Sequence, residues 1–219
     1  MSEVIIRKYQ KADQPGVENV CYRTGYMGEG LDGRNLFNDK RLFTLLFNLY
    51  YAHFEPEHYF VAVDPKTDQA IGYICGTTDT EAQEKRLTRK IVPRILLRAT
   101  FYTSWRHPES FRILRAMAKS AGQFTGSALA EIKQTYPAHL HIDILPEYQR
   151  IGLGTRLMDT FEDHLRAHGV KGVHLGTSNQ NYKALPFYEK RGFQLVYEMP
   201  AQLWPEVSGL KTLFFAKCL

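Results

Sequence analysis

The alternation of apolar and polar residues divides the chain into segments that predict strands and helices. Residues 4–9, 58–63 and 70–77 are rich in β-branched and aromatic side chains, as strands are. The turn-forming residues 64–68 join the second and third of these runs, so those two segments predict a hairpin. Residues 39–53 place apolar side chains three and four positions apart, which is the spacing of a helix that packs on one face.

Strands and helices alternate more regularly in the second half of the chain. The predicted strands are 139–145, 173–178, 194–199 and 212–217, and the predicted helices are 154–168 and 182–190. A further helix is predicted over about 13–22. Residues 81–135 are predicted to be helical, with a kink or a restart at Pro93 because proline interrupts a helix. This order indicates an α/β protein, and 219 residues suit one domain over 1–219 with a helical insertion at about 80–135.

Basic residues are concentrated in this helical segment. The whole chain has a formal net charge of +5, with 44% apolar and 23% charged residues, which is typical of a folded globular protein. Residues 81–135 contain eleven Lys or Arg and four acids, whereas the rest of the chain has a small acidic excess. Such a surface can attract nucleic acid or an anionic membrane. A solvated helical face accounts for it equally well, so we expect neither as a partner.

The cysteines do not follow a disulfide or metal-binding pattern. Cys21, Cys75 and Cys218 are widely spaced, and the chain has neither a CxxC pair nor an HExxH motif. We therefore expect no disulfide framework and no metal, and a reducing, cytoplasmic location. No secretory signal is expected at the N-terminus, and no apolar run is long enough to span a membrane.

The junction at residues 144–155 combines the end of a strand, a short turn and the start of a helix that contains Gly152 and Gly154. Glycines allow backbone amides to approach a ligand, and a helix N-terminus adds unpaired N–H donors and a positive dipole end. Together with Arg150, these groups would form a cradle for an anion such as a pyrophosphate. A tight turn without a ligand is the alternative interpretation.

A second motif follows one strand and one helix later. The chain reads QxxGxG over 149–154 and NxxAxxFYxxxGF over 181–193. At this separation the pair resembles the acetyl-CoA signature of the GNAT acyltransferase superfamily. The resemblance covers residues 138–199 by motif and residues 1–78 by the order of elements. Residues 137–146 also resemble the acetyltransferase-like domain of some bifunctional O-GlcNAcases.

The resemblance implies a GNAT fold of the α/β class, with a mixed central sheet of six to seven strands flanked by helices. Acetyl-CoA, as co-substrate, would lie between the strands 139–145 and 173–178, with its pyrophosphate on the amides of 150–155. The pantetheine arm would pair with the backbone of a strand edge. The predicted contacts are Ile144, Leu145, Gln149, Arg150, Ile151, Gly152, Leu153, Gly154, Thr155, Asn179 and Asn181. Asn181 is alternatively a helix N-cap, and Asn179 alternatively shapes the turn.

The general acid and the general base are predicted from different signals. Tyr188 is carried over from the family as the acid that protonates the departing CoA thiolate, since a phenol stays protonated at neutral pH. A purely aromatic packing role is the alternative. Alternation along the strand 139–145 places His139, His141 and Asp143 on one face. Asp143 or His141 would accept the proton of an amine, and a buried Asp143 that only holds the backbone is the competing interpretation.

The implied function is transfer of an acetyl group from acetyl-CoA to an amine acceptor by direct attack in a ternary complex, without a metal. A catalytically inactive acetyl-CoA-binding module and a covalent cysteine mechanism are the alternatives. The glycine-rich loop 25–33 would border the acceptor pocket, where Glu29 and Asp32 could attract a cationic amine, although a solvated loop also explains it. An exposed terminal strand at 212–217 could pair between subunits of a homodimer.

Overall fold

Seven strands form one mixed sheet in the order β1-β2-β3-β4-β5-β7-β6 in the computed structural model, which describes residues 4–120, 126–201, 204 and 206–219. The strands are β1 (Ile5–Lys8), β2 (Tyr59–Asp64), β3 (Gln69–Thr77), β4 (Ala138–Ile144), β5 (Gly172–Ser178), β6 (Gln194–Pro200) and β7 (Lys211–Cys218). The α/β class and the sheet predicted from the sequence are confirmed. Residues 1–3, the start of the N-terminal segment for which no signal was expected, and the helix prediction over 121–125 lie outside the described residues.

Helices flank this sheet and fill the connection between β3 and β4. They are α1 (Gln14–Thr24), α2 (Lys40–Phe47), α3 (Leu49–Phe54), α4 (Thr80–Lys90), α5 (Val92–Arg98), α6 (Ser104–Arg106), α7 (Pro108–Ser120), α8 (Ser127–Thr135), α9 (Leu153–Ala167) and α10 (Leu185–Lys190). A π-helical turn at Ala99–Thr103 joins α5 to α6. Helix α5 restarts beside Pro93, as predicted. None of the helices in the described part of the chain combines the length and apolar character that crossing a bilayer requires.

The single helix predicted over 39–53 is two helices, because the chain breaks at Asn48. The Asn48 backbone leaves helical geometry, and its amide Nδ2 donates a hydrogen bond of 2.7 Å to the hydroxyl of Tyr59. Asparagine favours such breaks because its side chain competes with the helix for hydrogen bonds. The apolar spacing continues across this break, and for that reason the pattern predicted one helix. The prediction of a single helix was wrong.

The apolar stripe of α9 forms much of the core beneath the sheet. Leu157, Phe161 and Leu165 recur at helical spacing and are fully buried. The Phe161 ring packs on Gly76 of β3, where a Cβ would lie 2.8 Å from it. This packing fixes the direction of α9 against the sheet, and therefore the place where its N-terminus meets the end of β4.

The terminal strand β7 lies inside the sheet. It pairs with β5 on one side and with β6 on the other, so its backbone groups are used on both edges. The expectation that an exposed strand at 212–217 pairs between subunits is therefore wrong. The edge strands of the described sheet are β1 and β6.

Candidate active site

Strands β4 and β5 separate soon after they start, and this separation creates a cleft. Their parallel pairing is limited to Ala138 with Val173 and His139 with His174. Beyond these pairs β4 stays with β3 as far as Ile144, and β5 stays with β7 as far as Ser178. The cleft between them has a volume of about 580 Å³. Its lining residues are Thr24, Gly28, Ile142, Asp143, Ile144, Gln149, Arg150, Gly152, Gly154, Thr155, Asn181, Tyr182, Lys183, Ala184, Pro186, Phe187 and Tyr188.

The turn between β4 and α9 forms one end of the cleft. Arg150 and Gly152 adopt left-handed backbone conformations, with φ of 64° and 81°. Gly152 is the N-cap residue of α9 and has no side chain, so the first-turn amides of this helix have no side-chain cap. At Gly154, a Cβ would lie 3.4 Å from the Phe187 ring, so glycine keeps this part of the cleft open. The arrangement offers backbone donors and a positive helix end to an anion.

The exposed edge of β4 has a definite hydrogen-bonding pattern. The Leu145 amide donates to the carbonyl of Ile71 at 2.9 Å, so it is committed to β3. Because strand pairing alternates, the backbone groups of Ile144 and Ile142 point the other way, into the gap beside β5. The Ile144 carbonyl accepts a hydrogen bond of 2.9 Å from Gln149 Nε2. The edge that faces the gap is therefore centred on residues 142 and 144, with the Ile144 carbonyl already bonded to Gln149.

Asp143 and Tyr188 meet in this cleft from two different elements. Asp143 lies on β4 and accepts a hydrogen bond of 2.5 Å from the hydroxyl of Tyr73. Burial raises the pKa of Asp143 above its ordinary value, although hydrogen bonds from Tyr73 and Thr24 partly oppose this shift. Tyr188 lies on α10 and is 7% exposed. Burial and the nearby Asp143 charge raise the pKa of Tyr188, so the phenol keeps its proton at neutral pH.

His141, the other predicted base, belongs to a buried hydrogen-bonded chain. Thr80 donates to the Pro137 carbonyl at 2.8 Å, so it accepts from Nδ1–H of His139 at 2.9 Å. His139 Nε2 then accepts from the Tyr51 hydroxyl at 2.5 Å, and Tyr51 accepts from His141 Nε2 at 3.1 Å. Burial lowers the pKa of His141 to about 4. Of the two candidate bases, only Asp143 lines the cleft.

The two candidate asparagines have different environments. Asn181 lines the cleft and is not the N-cap of α10, since that helix starts at Leu185 with Ala184 as its N-cap. Asn179 instead holds the end of β5. Its side chain donates to the Gly209 carbonyl at 3.1 Å and accepts from the Lys211 amide at 2.9 Å. The structure therefore gives Asn179 the turn-shaping contacts that were its alternative interpretation.

Seven of the predicted cofactor contacts line the cleft, and four do not. Those in the lining are Ile144, Gln149, Arg150, Gly152, Gly154, Thr155 and Asn181, and those outside it are Leu145, Ile151, Leu153 and Asn179. Leu145 and Leu153 are buried in the core, and the Ile151 side chain is 51% exposed. The sequence analysis missed Thr24, which comes from α1. Only the three-dimensional packing of α1 beside β4 brings it to the cleft.

The glycine-rich loop 25–33 borders the cleft through Gly28, which lies against Asn181. The acids of this loop already have cationic partners. Glu29 forms an ion pair of 3.0 Å with Arg34, and Asp32 lies 3.5 Å from Arg23 and from Lys40. The cysteines are elsewhere, since none lines the cleft, and burial raises the pKa of the Cys21 and Cys75 thiols. These thiols are therefore poorly suited to act as nucleophiles.

Known proteins resemble this chain in sequence and in fold. A profile described as the acetyltransferase (GNAT) family matches residues 83–193. The crystal structure of SsHAT is similar over 99% of this chain and 98% of that chain, with 31% identity and a TM-score of 0.78. The structure of yncA from Salmonella typhimurium with its cofactor acetyl-CoA is similar over 100% and 95% of the two chains, with 15% identity and a TM-score of 0.57, a likeness of fold. An uncharacterized protein of Bacillus subtilis (strain 168), YxbD, is 43% identical over 44 residues, which span 20% of this chain and 28% of that protein.

Proposed function

Because the chain belongs to the GNAT acetyltransferase family, we propose that it transfers an acetyl group from acetyl-CoA to an amine by direct attack in a ternary complex. The observation that carries this proposal is the convergence of Asp143, Tyr188 and the Gly152 turn on the cleft between β4 and β5. The three features supply a proton acceptor, a proton donor and an anion cradle in one cavity.

Acetyl-CoA would bind with its pyrophosphate on the uncapped amides at the start of α9, beside Arg150. Its pantetheine arm would lie along the free edge of β4, where the backbone groups of Ile142 and Ile144 face the gap. The cavity of about 580 Å³ has the size of a small-molecule site. This orientation directs the thioester toward Asp143 and Tyr188.

Asp143 would accept the proton that the amine loses during attack on the thioester carbonyl. A raised pKa suits this role, because a more basic carboxylate competes better for an ammonium proton. Backbone N–H groups on the β4 edge would stabilise the developing negative charge on the carbonyl oxygen. The Tyr188 hydroxyl would then donate its proton to the CoA sulfur as the carbon–sulfur bond breaks.

A thiol-release assay tests this proposal. Acetyl-CoA is incubated with small amines, amino sugars and peptides, and free CoA is measured for the wild type and for Tyr188→Phe. We expect Tyr188→Phe to lower kcat by about 10²–10⁴-fold, because one positioned proton donor is worth that much. Acetyl-CoA affinity should change little, since the hydroxyl acts on the leaving sulfur. Tyr102→Phe, at an exposed position of the π-helical turn, is the matched control and should keep full activity.

Three other results would each change the conclusion. Full activity of Tyr188→Phe would remove the tyrosine from the acid role. Tight acetyl-CoA binding without thiol release for any acceptor would favour a catalytically inactive binding module. Absence of acetyl-CoA binding by calorimetry would overturn the proposed function itself.

A further inference from the structure

Three histidines meet at the end of α9 that is remote from the cleft. His58 ends the short 3-10 helix before β2, His164 lies on the last turn of α9, and His168 follows that helix. One ligand atom of each ring lies within 4.8 Å of those of the other two. His164 is eleven residues from the start of α9, so the cluster is about 16 Å along the helix axis from the anion cradle. It is therefore separate from the site already described.

The hydrogen bonds of the cluster leave a ring nitrogen available. His168 Nδ1 lies 2.7 Å from the His164 carbonyl, which only accepts, so this nitrogen carries the proton and Nε2 carries the lone pair. Carbonyl oxygens hold metal-ligating histidines in their tautomer in the same way. His58 Nδ1 and His164 Nε2 are 2.8 Å apart, a contact that requires a lone pair on one of the two nitrogens.

The surroundings of the cluster favour neutral rings. His58 is 9% exposed, His164 is partly buried and His168 is exposed, so one side of the cluster is open to solvent. A protonated ring in this partly enclosed position would lose solvation, which disfavours the charged form. The charged groups near the cluster are of both signs, Glu57 and Lys8.

We propose that His58, His164 and His168 bind one divalent transition-metal ion of the zinc type, with the open side of the cluster left for water. Neutral imidazole is the preferred nitrogen ligand of such ions, and three histidines with one open position form a recurrent zinc set. Zn–N bonds of about 2.0–2.1 Å in a tetrahedron require nitrogens roughly 3.4 Å apart. The present separations, from 2.8 Å between His58 and His164 up to no more than 4.8 Å, bracket this distance. A bound ion would clamp the end of α9 to the segment that leads into β2.

The sequence gives only part of this signal. His164 and His168 are four residues apart and so share one helix face, but an isolated pair of this kind is common. The third histidine is more than a hundred residues away and joins them only through the packing of α9 on β2. The expectation of no metal considered cysteine pairs and HExxH, so it did not weigh this cluster.

The test titrates untagged, chelator-treated protein with ZnCl2 and measures bound zinc by mass spectrometry and the melting temperature by calorimetry. We expect about one zinc ion per chain and a Tm that rises by about 5–10 °C at a zinc concentration 100 times the Kd, reversed by EDTA. Co²⁺ should give the intense visible absorption of a four-coordinate site. The acetyl-CoA affinity should be unchanged, so the result is independent of the proposed function.

The variants are His164→Gln and His168→Gln, with the exposed His53→Gln as the matched control. Both cluster variants should lose stoichiometric zinc and the Tm rise, and the control should keep them. His168 is exposed, so its replacement tests the site even if His164→Gln fails to fold. Absence of stoichiometric zinc in the wild type, or zinc binding that survives both cluster substitutions, would overturn the proposal. The three rings would then be a neutral hydrogen-bonded cluster.

Discussion

At the scale of a single residue, two opposing effects determine the pKa of Asp143. Burial destabilises its carboxylate and raises its pKa, whereas the Tyr73 hydroxyl donates to the carboxylate and lowers it. A carboxylate accepts a proton from an amine only while it is ionised. The rate should therefore fall as the pH drops through the raised pKa of Asp143, and it should be independent of this group at higher pH.

Asp143→Asn should remove this acid limb from the profile of kcat/KM against pH. The amide has no titratable proton, and the loss of a positioned base should lower the rate by about 10²–10⁴-fold at neutral pH. Initial rates of thiol release between pH 5 and pH 9 measure both effects. An acid limb that persists unchanged in Asp143→Asn would show that another group is the base.

Tyr73→Phe should move the acid limb to higher pH. Removal of the donor takes away a stabilising contact to the carboxylate, so the pKa of Asp143 rises further. Tyr59→Phe is the matched control, because Tyr59 is an equally buried tyrosine of the neighbouring strand whose hydroxyl pairs with Asn48. It should cost stability without moving the limb. Equal shifts in the two variants would contradict this account.

Some site residues were predictable from the sequence and others were not. Gln149, Gly152 and Gly154 belong to one short motif, so their shared position follows from local chain geometry. Alternation along a strand likewise gives the direction of Asp143. Leu145 shows the limit of that reasoning. Whether its amide faces the cleft depends on the register with β3, which the hydrogen bond to Ile71 reveals and the sequence alone does not.

At the scale of an element, the turn between β4 and α9 contains a strained backbone conformation. Gly152 tolerates its φ of 81°, but Arg150 adopts a φ of 64° without the freedom of glycine. Such a conformation in a residue with a side chain costs about 1–3 kcal/mol and is retained where the loop is functional. We propose that the turn keeps this conformation, at some expense of stability, because it binds the pyrophosphate of acetyl-CoA.

Gly152→Ala should lower the free energy of unfolding by about 1–2 kcal/mol, because alanine resists the left-handed conformation. Gly126→Ala is the matched control, since a Cβ meets nothing within 4 Å at either glycine and only Gly152 has a positive φ. Arg150→Gly should raise stability by about 1 kcal/mol and weaken acetyl-CoA binding. Urea unfolding and calorimetry measure the two quantities. An equal cost at both glycines would exclude backbone strain as the cause.

Whole elements were easier to predict than their connections. The regular alternation after residue 138 gave every strand and helix of the second half to within a few residues. The break at Asn48 was not predicted, because it is accompanied by a side-chain hydrogen bond to Tyr59 that the apolar spacing does not reveal. The placement of β7 between β5 and β6 was not predicted, because the order of the strands in the sheet differs from their order in the sequence. Both errors concern long-range contacts that periodicity does not report.

Glu162 connects the two walls of the cleft at the scale of the whole molecule. Its side chain is 3% exposed and accepts two hydrogen bonds of 2.8 Å from Lys217 on β7. Arg166 on the same helix and Arg191, which follows α10, lie at 3.2 Å and 3.5 Å. Helix α9 begins with the anion cradle and α10 carries Tyr188. One buried carboxylate therefore holds together the elements that position both.

Glu162→Ala should lower the free energy of unfolding by about 3 kcal/mol, because the change leaves the largely buried ammonium of Lys217 without this carboxylate. Arg166 and Arg191 keep their ion pairs with Asp163 and Asp159. Glu198→Ala is the matched control, since its ion pair with Lys211 at 2.6 Å is about half exposed and such pairs contribute about 1 kcal/mol or less. Urea unfolding measures both losses. If the carboxylate also positions Tyr188, kcat should fall in Glu162→Ala under conditions where the protein is still folded. Similar small losses in the two variants would mean that apolar packing alone aligns α9, α10 and β7.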